Sequence, residues 1–200
     1  MHHRPKSQHL TDPISEAKLL RVSERKKWRA WLKKNYKSND EIWLVYAKKH
    51  TGKPRISYND AVEEALCFGW IDSIVNTVDE DHFAQRFSVR KNDSMWSQPN
   101  IERLRLLVAD NQIMPEFLEA LPDLSGDEFE VPPDILEAIK ANHEAWNNFQ
   151  GFSAPYIRIR ISYIDGARSR PEEFEKRLSN FIAKSEQNKL IGQSGMEKYY

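Results

Sequence analysis

Trp70, Asp72, Arg86, Arg90, Lys91 and Trp96 fall between residues 70 and 96 of this 200-residue chain. They are the residues whose types best suit recognition chemistry. Arg86, Ser88 and Arg90 alternate with Gln85, Phe87 and Val89, so in a strand they share one face. If the segments after Gly69 and Asp81 pair as a hairpin, Asp72 comes near Arg86. Guanidinium groups beside indoles suit a carboxylate, a phosphate or a stacked ring. The six residues are therefore the candidate ligand-binding site, with a small anion as its ligand. The structural alternative is an Asp–Arg pair beneath core tryptophans, with Arg90 and Lys91 merely solvated. Nothing in the set is an activated nucleophile, and His82 is the nearest potential base. Binding is favoured over catalysis, and no catalytic residue is assigned.

Other constellations yield less. Lys18–Lys37 carries nine basic residues against one acidic, with Trp28 and Trp31 among them. Such a helix can lie on an anionic membrane surface or on phosphates. The spacing of Trp28, Trp31 and Leu32 favours indoles in the core and lysines in water. The single Cys67 lies between Leu66 and Phe68 and reads as a small buried hydrophobe rather than a reactive thiol. The six histidines show no His-Glu-x-x-His and no His-x-His spacing, so no metal is assigned. Seven glycines form no phosphate-cradling loop and no Gly-x-Ser-x-Gly elbow, which disfavours nucleotide hydrolysis and serine-hydrolase chemistry. No cofactor is expected.

The elements that must position these residues follow from periodicity and punctuation. Ser23 reads as the N-cap of a helix with Trp28, Trp31, Leu32 and Tyr36 on one side. Glu41–Ala47 is a short apolar run, aromatic and β-branched, and predicts a strand buried on both faces. Ser57 and Asp60 open a helix to about Phe68, with Gly69 as its C′ residue. Ile71–Val75 and Phe83–Val89 are strands around an Asp79–Asp81 turn. Ser97 and Pro99 open the next helix, and a shorter one follows from Pro115. Helices are also expected around Ile135–Ile139 and Trp146–Phe149, and after a capping box of Ser169 and Glu172. Tyr156–Ile164 fits a strand by its Ile/Arg alternation and a helix by Tyr156, Ile157, Ile161 and Ile164.

Composition bounds the rest. Thirty basic residues balance thirty acidic ones, so no global field draws the chain to nucleic acid or membrane. One cysteine, a polar start and no apolar run of about 18 residues point to a cytoplasmic protein without a membrane span. Between Pro122 and Pro133 there are four acidic residues and no basic one, which marks a linker. The expected division is a flexible arm at 1–19, an α+β domain at 20–121, an acidic linker at 122–133, a helical module at 134–186 and a polar, fraying tail at 187–200. The fold class is α+β, a small antiparallel sheet with packed helices followed by an all-helical C-terminal module.

Several strings carry a family resemblance. They are Ile42-Trp-Leu-Val-Tyr-Ala-Lys-Lys-His-Thr-Gly-Lys-Pro54, Ser57-Tyr-Asn-Asp-Ala61, Glu64-Ala-Leu-Cys-Phe-Gly-Trp-Ile-Asp-Ser73 and Phe83-Ala-Gln-Arg-Phe-Ser-Val-Arg-Lys91. Trp96-Ser97, Pro132-Pro133-Asp134-Ile135-Leu136 and Tyr156–Arg177 complete the set. With these the chain resembles the YdeI/OmpD-associated, bacteriocin-protection family over most of its length after about residue 24. The resemblance implies an N-terminal part similar to YjbR and frataxin-like proteins, and a helical C-terminal module, which decides Tyr156–Ile164 in favour of helix. Asp165-Gly-Ala-Arg168 departs from the Ala/Lys-rich ending of the family, and Gly166 shortens that helix. The resemblance implies no reaction. It points to a non-enzymatic binding protein linked to bacteriocin, antimicrobial-peptide or stress tolerance, with a protein or small anion as partner. An enzyme or sensor using the Trp/Arg pocket is the alternative. The oligomeric state is unassigned.

Overall fold

The computed structural model describes residues 14–91, 93–126, 129–192 and 195–200. Of the expected arm, residues 1–13 lie outside the described residues, as do 127–128 of the linker and 193–194 of the tail. The chain forms two compact units, Met1–Arg90 and Lys91–Tyr200. The expected class holds: a small sheet with packed helices, then helices alone.

The first unit is built on four strands, β1 (Leu19–Leu20), β2 (Glu41–Ala47), β3 (Trp70–Thr77) and β4 (His82–Val89), in the order β1-β2-β4-β3. The central pairs are antiparallel, as expected, but β1 joins β2 in parallel. Residues expected in a flexible arm therefore close one edge of the sheet, because Ile14 and Leu19 cover the apolar cluster of Trp43, Val45 and Ala84. Helices α1 (Arg25–Asn35) and α2 (Tyr58–Cys67) pack against each other. The Ser57 hydroxyl caps α2 by accepting from the Asp60 N–H, and Gly69 leaves the helix in the left-handed region with φ +70°. The residue before α1 is Glu24, without a side-chain cap, rather than the expected Ser23. Trp28 is fully buried, donates from Nε1 to the Ala61 carbonyl at 3.0 Å, and lies 5.3 Å from the Phe87 ring. That indole fixes α1 to both α2 and the sheet.

The second unit holds α3 (Gln98–Ala109), α4 (Pro133–Lys140), α5 (His143–Phe149), α6 (Ala154–Asp165) and α7 (Pro171–Glu186). The segment from Pro115 is a 3₁₀ turn to Ala120 rather than an α-helix. Tyr156–Ile164 is helical, and α6 stops at Asp165 with Gly166 as its C-cap. Its Arg/Ile alternation is compatible with a helix because Ile161 and Ile164 still point into one apolar cluster with Ile135, Ile139 and Phe181. The helix α7 begins after Arg170, not Ser169: Pro171 takes the first helical position, where a missing N–H costs nothing. The residues after α7, expected to fray, fold back instead. Met196 and Tyr199 are buried against Ile159, and the Ile191 N–H donates to the Tyr156 hydroxyl at 2.9 Å. A polar average over 187–200 hid these few apolar anchors.

Candidate functional site

The hairpin of β3 and β4 forms, but it separates the residues expected to converge. Asp72 stands opposite Phe87, while Arg86 stands opposite Trp43. Phe87 and Arg86 are neighbours in one strand and point to opposite faces, so Asp72 and Arg86 do too. Asp72 accepts from Tyr58 Oη at 3.0 Å and from Gln85 Nε2 at 2.7 Å. Arg86 donates from Nε to Glu41 at 2.6 Å, and Lys18 donates to the same carboxylate at 2.6 Å. Those two hydrogen bonds hold the Glu41 carboxyl below its ordinary range. The expected Asp72–Arg86 pair is thus replaced by a Lys18–Glu41–Arg86 cluster. Glu41 faces Ser88 across the sheet, one diagonal step from Arg86, which is within reach of a long side chain.

The other members scatter similarly. Trp70 is 1% exposed and donates to the Tyr36 carbonyl at 3.3 Å, so it is a core residue. The Arg90 N–H closes onto the Gly69 carbonyl. Lys91 is exposed, and it belongs with Trp96 to the second unit. Of the six, Trp96 lines a groove of the second unit.

The basic segment is largely consumed inside the first unit. Arg25 bonds Glu64 through Nε at 2.6 Å and reaches Asp60 and Glu63 through Nη1 at 2.6 and 3.0 Å. Arg29 takes the other Glu64 oxygen at 2.6 Å. Glu63 and Glu64 are each 3% exposed, and arginines reaching across from α1 make their burial tolerable. Burial pushes the Cys67 thiol up to about 11, against the opposing influence of Arg29. Burial thus disfavours the thiolate, the nucleophilic form. Among the described residues, no group of three His, Cys, Asp or Glu side chains could hold a metal ion. No helix among them is long and apolar enough to cross a membrane.

Sequence reasoning missed the second unit's polar centre and its grooves. Glu102, 3% exposed on α3, accepts from Arg158 on α6, from Arg105 and from Gln98. Burial alone would raise its carboxyl; the bonds from Arg158, Gln98 and Arg105 outweigh that and lower it. Beyond this tie, two grooves flank a common wall of Tyr163 and Arg177. The Arg177 guanidinium sits 3.7 Å over the Tyr163 ring, bonded to the Tyr163 carbonyl and to Glu173 at 2.7 and 2.8 Å. The first groove, about 630 Å³, has Trp96 and Phe129 beside buried Ile159 and Ile161, with Glu130 and Asp165 at its edge. The second, about 450 Å³, is lined by basic residues of α6 and α7 and by the returning tail. The available signal was the aromatic–Arg combination, but in sequence it pointed to Arg86 because Arg177 lies far from Trp96.

The family described as Domain of unknown function (DUF8412) matches residues 20–120, half of the 200-residue chain. The chain belongs to that family. Residues 128–188 match the family described as Bacteriocin-protection, YdeI or OmpD-Associated, so this segment is a YdeI/OmpD-associated domain, as the resemblance implied. The strings at Cys67–Asp72 and Arg86–Arg90 lie in the first match, and Tyr156–Arg177 lies in the second. No curated protein and no solved structure matches the chain. The second description links the chain to bacteriocin protection only in this coarse sense, and neither names a reaction.

Proposed function

We propose that this protein is a binding module that seats a cationic amphipathic peptide in the groove beside Trp96. One observation carries the reading: an apolar groove with an acidic edge lies mostly inside the bacteriocin-protection segment. Trp96 and Phe129 offer partly exposed apolar surface over a floor of buried Ile159 and Ile161, and a volume of about 630 Å³ lies in the range of ligand grooves. Glu130 is exposed at the rim, and it belongs to the 122–133 stretch that has four acidic residues and no basic one. Asp165 is paired with Arg168 and Arg177 forms the opposite wall, so the charge that favours a cationic partner is that of Glu130 and its acidic stretch. The chemistry of the buried groups also favours binding over turnover. Cys67 is held as a thiol, and Glu63, Glu64 and Glu102 are fixed by arginines.

A designed Lys/Leu amphipathic helix, titrated calorimetrically into the full chain at two salt concentrations, tests the proposal. Trp96→Ala should weaken binding at least tenfold, on the order of 1.4 kcal/mol for a buried aromatic anchor. Glu130→Lys should weaken it further at low salt than at high salt. Binding indifferent to both substitutions, or no binding, would overturn the reading.

A further inference from the structure

The second groove has the opposite electrostatic character and a different builder. Arg160, Lys176 and Arg177 contribute three positive charges against one, Glu173, and Asn180 adds an amide. Glu173 is already engaged, since its hydrogen bond from Arg177 holds it below the ordinary range, aided by the charge of Lys176. Arg177 spends Nε on Glu173 and Nη1 on the Tyr163 carbonyl, which leaves Nη2 without a hydrogen bond among the described residues. Lys176 is exposed and makes no ion pair among them. Tyr163, which is exposed, and partly buried Ile191 supply the apolar surface, over a floor of buried Ile164 and Phe181.

The tail after α7 completes this groove. Ile191 and Gly192 form part of its lining, beyond the 128–188 match. Three contacts hold the tail in place: Ile191 N–H to Tyr156 Oη at 2.9 Å, Arg160 Nη2 to Tyr200 Oη at 3.0 Å, and the burial of Met196 and Tyr199 on Ile159. The Tyr200 ring also stands 4.9 Å from Tyr156. The returning tail thus places Ile191 beside Phe181 and the cationic side chains of α6 and α7.

We infer that the groove between α6, α7 and the tail binds a monoanionic amphiphile, a carboxylate headgroup on an apolar body. The headgroup meets Lys176 Nζ and Arg177 Nη2, and the apolar body lies on Tyr163 and Ile191. A carboxylate accepts two donors from separate side chains, and charge-assisted bonds of this kind are the stronger class. A dianionic headgroup is less suited, because Glu173 shares the groove. This site lies across the Tyr163–Arg177 wall from the peptide groove and does not depend on it.

Decanoate, decanol and decyl phosphate, titrated into the full chain by calorimetry with amide chemical shifts followed, form the test. Decanoate should bind, shift the Ile191 and Gly192 amides, and exceed decanol at least tenfold in affinity. Lys176→Glu, on an exposed side chain that the fold does not need, should lower decanoate affinity roughly tenfold. Trp96→Ala, in the other groove, should leave it unchanged. Failure of decanoate to bind, equal binding of decanol, indifference to Lys176→Glu, or silent Ile191 and Gly192 amides would each overturn the site. Tighter binding of decyl phosphate would overturn the carboxylate assignment.

Discussion

The Tyr46 hydroxyl is buried with no hydrogen-bond partner among the described residues, although its ring stacks at 5.0 Å on Phe83 and is 3% exposed overall. Burial raises its pKa, with Asp72 adding to the effect, so the group stays a neutral phenol. A buried donor without a partner costs about 1–3 kcal/mol, and the ring's packing does not need the oxygen. Tyr46→Phe should therefore stabilise the chain by about 1 kcal/mol, read as a higher urea midpoint at unchanged slope. A loss of stability would mean that the hydroxyl has a bound partner in solution. The same neighbourhood shows where residue-level reading of sequence stops. Alternation assigned Arg86 and Ser88 to one face correctly, because period two is a property of the backbone. It could not choose between Asp72 and Glu41 as the partner of Arg86, since that depends on which face of the neighbouring strand each acid occupies. Trp70, between Gly69 and Ile71, and Trp96, between Met95 and Ser97, carry no local signal that tells them apart, yet one is core and one lines a groove.

At the scale of elements, Glu102 joins α3 to α6 through Arg158, with Arg105 on the same carboxylate. Glu102→Gln removes the anion and leaves two guanidinium groups facing an amide, so the loss should be large, about 3 kcal/mol. Its pH dependence has a definite sign. The Glu102 carboxyl is depressed in the folded chain, so its contribution is fully present above the unfolded value of about 4.3 and is lost as pH falls through the folded value. Urea unfolding at pH 7 and at pH 3 should show the gap between the natural chain and Glu102→Gln shrinking at the acidic end. A gap that does not change with pH would assign the effect to packing rather than charge. None of this tie was legible beforehand, because Glu102 reads as an ordinary helical glutamate and Arg158 lies 56 positions away. What was legible was local. The limits of Glu41–Ala47 and the Ser57 cap depend on neighbouring residues alone. The cap expected at Ser169 failed because Pro171 at the first helical position shifts the start by one residue.

For the whole molecule, two kinds of boundary fall in different places. The matched families leave a gap between residues 120 and 128, beside the composition shift at 122–133. The compact units divide between Arg90 and Lys91, so α3 is matched with the first family and packs with the helices of the second. The Glu102–Arg158 tie joins α3 to α6, and α3 also buries Leu104 and Leu107; composition does not reveal the tie. Two fragments separate these criteria. A fragment of residues 91–200 keeps α3, the Glu102 cluster and the returning tail, and should unfold in one cooperative urea transition with dispersed amide resonances. A fragment of residues 122–200 leaves Arg158, whose side chain is 13% exposed, without its carboxylate partner. It also strips α3 from α6. It should lose sharp cooperativity or unfold at a midpoint lower by an amount comparable to the Glu102→Gln effect. Equal cooperativity and midpoint for the two fragments would place the working boundary at the acidic stretch and make α3 an appendage. The decanoate groove lies wholly within residues 160–192. Its retention in 91–200 and loss in 122–200 would tie ligand binding to the α3–α6 contact.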